Sequence, residues 1–106
     1  AMVRDSGVKM KTLKVDGGAV GNDLLMQMQA DLGQTPVARP RCRESTALGA
    51  ACLAGLEVGI WKNEEELGKL LETERVFEPS TGPDDVEPRW QQWRRAVDRS
   101  RDWSDI

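Results

Sequence analysis

Histidine and tyrosine are absent from this chain, and phenylalanine occurs once among its 106 residues. Without imidazole there is no Ser-His-Asp or Cys-His catalytic pair and no histidine metal ligand. The only cysteines, Cys42 and Cys52, are too few for a disulfide scaffold and lack C-x-x-C spacing. Zinc and thiol redox chemistry are therefore not expected, and a reducing cytoplasm is the default compartment. Basic charge is also in short supply. Fifteen Lys+Arg stand against 18 Asp+Glu, a net charge of -3 that argues against a surface built for nucleic acid. No apolar run approaches the roughly 18 residues of a membrane span, and the first residues lack a signal-peptide pattern. The length suits one small soluble domain, or part of a larger one.

What is present reads as alternating strands and helices. Met2-Val3-Arg4 looks like the last turn of a helix closed by Gly7, and Thr12 to Val15 alternates polar and apolar residues like a strand. Asp16-Gly17-Gly18 breaks the chain. Leu25, Met28 and Leu32 then recur as one stripe of a helix expected from Ala19 to Leu32, ending at Gly33. Pro36 to Arg39 is expected as a short strand confined by its flanking prolines. Ser45 is the expected N-cap of a small-residue helix from Thr46 to Leu56, and Ala50 is expected on its buried face. Strand, glycine turn, helix, strand, helix implies an α/β fold, with short parallel strands covered by helices. Further on, Asn63 and Glu66 should cap another helix, and Trp61 reads as a core or interface anchor. Val76-Phe77 suits an edge strand and Glu78 to Pro88 a loop. A terminal helix from Glu87 to Trp103 would dock through Trp90, Trp93 and Val97. Its Arg89, Arg94, Arg95, Arg99 and Arg101 are diluted by Asp98, Asp102 and Asp105, the pattern of a helix with its charged face in water.

The glycine turn is richest in chemical meaning. Glycines bend sharply and let a bulky anion or nucleotide come close, while the next helix points free N–H groups into that space. The spacing Gly17-Gly18-Ala19-Val20-Gly21 is not a G-x-G-x-x-G fingerprint, and no phosphate-loop motif is present. A tight strand-to-helix connection shaped by Asp16 is the competing reading. Asn22, one turn on, offers both donors and acceptors to a base, ribose or phosphate, or faces water as a helix residue.

A more specific signal lies in the run from Val15 to Asp31, which closely resembles the adenosine-site segment of the glycerol kinases, members of the FGGY carbohydrate kinases within the actin-like ATPase superfamily. Pro36 to Pro40, Glu44 to Ala51, Gly59-Ile60-Trp61, Phe77-Glu78-Pro79 and Trp93 to Val97 follow in that family's order. The resemblance implies a partial actin-like (ribonuclease H-like) ATPase domain. Residues 1–78 would be the nucleotide side of the second such domain, and 79–106 a loop and amphipathic helix. It implies nucleotide contact at Gly17, Gly18 and Asn22, with no catalytic or metal-ligating residue in this stretch. ATP, Mg²⁺, glycerol and the rest of the kinase chain are the implied cofactors and partners, in a cytoplasmic homo-oligomer. The alternatives are an FGGY kinase for another sugar or polyol, and a non-catalytic module using the Arg-Trp helix.

Overall fold

The computed structural model describes residues 2–102. Helix α1 (Met2–Ser6) closes at Gly7, whose N–H donates to the Val3 carbonyl at 2.9 Å. Strand β1 (Leu13–Lys14) leads into the glycine bend and a 3-10 turn, Gly18–Gly21, and only then into α2 (Asp23–Gly33). Strand β2 (Val37–Pro40), α3 (Ser45–Glu57), α4 (Glu64–Gly68), β3 (Thr73–Phe77) and α5 (Pro83–Ser100) follow. The strand order is β1-β2-β3. β1 and β2 run parallel, joined by the α2 crossover, whereas β3 runs antiparallel to β2. The α/β expectation holds, with a mixed sheet in place of a wholly parallel one.

One face of the sheet holds the core: Val20, Met26, Ala30, Val37 and Phe77, with Leu13 and Val15 packed against them. The buried stripe of α2 is therefore Met26 and Ala30. The expected stripe fails, since Leu25 and Met28 are exposed and Leu32 only half-buried. The helix also begins four residues later than expected, because residues 18–21 close 3-10 bonds and Asn22 takes the cap. Its end falls at Gln34, which adopts φ 47° and donates from Nε2 to the Asp31 and Thr81 carbonyls at 2.6 and 2.9 Å.

Helix α3 is corrected in a similar way. Glu44, not Ser45, occupies the cap position, and Ala50 is exposed; Cys52 and Gly55 are the buried residues. Trp61 lies over Gly55, where any added Cβ would collide with the indole ring. Around α4, Glu66 N–H donates to Asn63 Oδ1 at 3.0 Å, and Lys62 N–H donates to Glu66 Oε2 at 2.9 Å. The reciprocal cap exists, closed one residue early. The span expected as a loop through Pro88 is helical from Pro83, a proline at the first helical position, where a missing N–H costs nothing. Asp85 Oδ2 accepts from Gly82 N–H at 3.3 Å to hold that start. Val86 is buried and Trp90 Nε1 donates to the Leu32 carbonyl at 2.8 Å, while Trp93 stays 61% exposed. Docking thus uses Val86 and Trp90, with Val97 half-buried, rather than the expected stripe of Trp90, Trp93 and Val97. Trp103 and Asp105 lie outside the described residues.

Candidate functional site

Parallel β1 and β2 end on the same side of the sheet, the side where open α/β sheets hold ligands. Val15 N–H still donates to the Ala38 carbonyl at 3.2 Å, and then Gly17 turns the chain with φ 93°. That backbone region strains any L side chain, so the turn itself demands glycine. Gly18 has no such constraint. A Cβ at either position meets nothing within 4 Å. Gly17 N–H donates to the Arg43 carbonyl at 3.0 Å, pinning the bend to the segment that leaves β2.

Asn22 closes the motif. Its Oδ1 accepts from Leu25 N–H at 3.1 Å, so the side chain caps α2 and is not an interior helix residue. The structure brings Gly17, Gly18 and Asn22 onto one strand–helix junction. Gly18 and Asn22 are exposed, Gly17 half-buried. Beside the junction lies a cavity of about 340 Å³, bordered by Lys14, Asp16, Ala38, Pro40, Ser45 and Thr73. Asp16 connects bend and cavity; the two glycines and Asn22 are not part of its lining.

An ionic cluster beneath the bend was not apparent from the sequence. Arg39 on β2 is 5% exposed, and its guanidinium donates to the Val20 carbonyl (3.0 Å), Asp23 Oδ1 (2.6 Å) and Glu74 Oε2 (2.9 Å). Arg75 Nη1 donates to Asp23 Oδ2 at 2.7 Å, and its guanidinium sits 4.4 Å from the Phe77 ring centroid. The Arg39 hydrogen bond, ahead of the charges of Arg39 and Arg75, holds the Asp23 carboxyl below the ordinary carboxylate range. The members stand at positions 20, 23, 39, 74 and 75, so no local motif announces them. The only signal is an arginine inside an otherwise apolar strand. Among the described residues no three His, Cys, Asp or Glu side chains gather in a way that could hold a metal ion. Nor, among the described residues, is any helix long and apolar enough to cross a membrane.

Residues 1–58, more than half of the 106, match the model of the FGGY family of carbohydrate kinases, C-terminal domain. The chain belongs to the FGGY carbohydrate kinases. Among curated members of this family, the glycerol kinase of Bordetella parapertussis is 57% identical over 103 residues, covering 97% of this chain and 20% of that protein. The glycerol kinase of Aeromonas hydrophila is 54% identical over 105 residues, 99% of this chain and 21% of its own length. The chain thus spans about a fifth of the length of the curated FGGY kinases it matches. A solved relative, Plasmodium falciparum glycerol kinase with ADP, superposes with a TM-score of 0.76 at 33% identity, over 92% of this chain and 20% of that one. The mixed sheet with its helices is thereby the fold of an FGGY kinase C-terminal portion.

Proposed function

We propose that this stretch forms the adenine-nucleotide side of a glycerol kinase, with Gly17, Gly18 and Asn22 as the residues that meet the nucleotide. The observation that carries this reading is the open bend, where two glycines leave their flank free of side chains beside a capped helix start. Asn22 supports it with an exposed amide whose Oδ1 is committed to the cap while Nδ2 keeps two donors for a ligand. ADP in the Plasmodium falciparum relative agrees with nucleotide use. The whole enzyme would transfer the γ-phosphoryl of ATP to a terminal hydroxyl of glycerol, giving glycerol 3-phosphate and ADP. Such a reaction depends on aligned phosphates, charge neutralisation and a base at the acceptor hydroxyl. Asp16, at the rim of the bend, is assigned a loop-shaping role and not that of the base. Mg²⁺ would ride on the phosphates; the described residues do not fit it as a ligand set. Residues 1–78 are proposed as the nucleotide-side unit and 79–106 as an appended loop and helix, in a cytoplasmic homo-oligomer whose remaining chain covers the exposed faces.

The test grafts this segment into the Aeromonas hydrophila enzyme in place of its matching stretch. The graft should phosphorylate glycerol, and Gly18→Val should raise KM for ATP about tenfold or more, a loss of at least ~1.4 kcal/mol. Position 18 is the informative one, because a Cβ added there meets nothing within 4 Å in the fold itself. ATP kinetics unchanged by Gly18→Val would remove the bend from the nucleotide site. The 106 residues alone are expected to show no turnover.

A further inference from the structure

The bend is fastened to the sheet at both ends by the same short stretch, residues 39–43. At its start, Gly17 N–H bonds the Arg43 carbonyl at 3.0 Å. At its end, Arg39 Nη1 reaches both the Val20 carbonyl at 3.0 Å and Asp23 Oδ1 at 2.6 Å, the residues that bracket Asn22. Arg39 is itself held: Nε bonds Glu74 Oε2 at 2.9 Å, and its guanidinium carbon lies 5.2 Å from the Phe77 ring centroid. Asp23 is gripped a second time by Arg75 at 2.7 Å.

A guanidinium is a rigid planar fork, so these bonds fix directions as well as distances. An ion pair between a buried guanidinium and partly exposed carboxylates adds little net stability, because solvent screens the attraction and desolvation of the arginine offsets more of it. Its physical consequence is registry: the first residues of α2 cannot slide or tilt against β2 without breaking charge-assisted bonds. We infer that Arg39 is a positioning residue for the nucleotide: it touches no ligand, but through the Val20 carbonyl and the Asp23 carboxylate it sets the place of Asn22 and the glycine bend above the sheet. This rests on the nucleotide reading of the bend given above. Arg39 then governs how tightly ATP is held and leaves the phosphoryl-transfer step alone.

Two variants of the grafted full-length enzyme test it. Asp23→Ala removes an exposed carboxylate and leaves Arg39 paired with Glu74 and Val20. Arg39→Lys keeps the charge and loses the fork. Each should raise KM for ATP about tenfold while kcat and KM for glycerol stay within about twofold, since a displaced binding group weakens uniform binding. The double variant should cost no more than the worse single one, as expected for partners in one contact. Unchanged KM for ATP in both variants would overturn the inference. So would a parallel loss of kcat and both KM values with a lowered melting temperature, the signature of a merely structural arginine. Gly18→Val separates the two readings. If it raises KM for ATP and neither Asp23→Ala nor Arg39→Lys does, the bend stays a nucleotide site and Arg39 loses its role. If Gly18→Val has no effect, both fall.

Discussion

Asp31 ties the loop after β3 to helix α2. Its Oδ1 accepts from Ser80 N–H at 2.6 Å, from Ser80 Oγ at 3.0 Å and from Gln27 Nε2 at 3.0 Å. The Ser80 backbone bond above all lowers the carboxyl below its ordinary 3.8, against a smaller opposing contribution from desolvation. A carboxyl more acidic in the folded state binds fewer protons there than when unfolded. Its stabilising contribution is complete above the unfolded value and disappears as pH falls through the lowered one. Asp23, lowered mainly by Arg39, acts with the same sign. Stability should therefore drop in acid, below about pH 4. Asp31→Asn should shrink that acid limb without abolishing it, read as the melting temperature of the grafted enzyme across this range. An acid limb identical to the parent's would show that the Ser80 tether carries no titration.

At the level of elements, the small-residue helix α3 makes the sharpest contrast. Gly55 lies under the Trp61 ring, so Gly55→Ala forces the indole off its seat, an overpacking cost of about 1–3 kcal/mol. Gly49, on the same helix, meets nothing within 4 Å, and Gly49→Ala should stabilise by about 0.5–1 kcal/mol through helix propensity alone. Thermal melts followed by circular dichroism check both; equal effects of the two substitutions would contradict the Trp61 contact. The same helix shows where sequence reading stops. Element order, the breaking glycines and the Asn63 cap follow from local chemistry and were legible. Which face is buried was not. Leu25 and Met28 have helical spacing yet point outward, because the sheet meets α2 at Met26 and Ala30. The start of α2 was hidden too, since Gly18 to Gly21 differs from an α-turn only in which carbonyl each N–H selects. The bend of the candidate site was readable from Gly17 and Gly18; its Arg39 support joins residues far apart in sequence and needed the fold.

The molecule as a whole is open. Its radius of gyration is 18.4 Å, against about 13 Å for a self-contained globule of this length. Its accessible surface is 8638 Å², where about 5,900 Å² is usual for 11.8 kDa. Leu53, Val58 and Ile60 are each more than two-thirds exposed on and after α3. A chain that leaves this much apolar surface wet is short of the burial that offsets conformational entropy. Expressed alone, the 106 residues should bind the dye ANS and melt broadly, whereas the graft should not bind it. A sharp melt without dye binding in the isolated chain would show that it needs no covering partner.

The mixed sheet carries a consequence for association between copies. β3 forms one margin of the sheet, and its sequence Thr-Glu-Arg-Val-Phe sets Glu74 and Arg75 side by side, each already engaged with Arg39 or Asp23. Charged residues on a marginal strand discourage another chain from adding there, because pairing would bury them. That rim is thereby guarded against fibril growth, even while the rest of the isolated chain remains sticky.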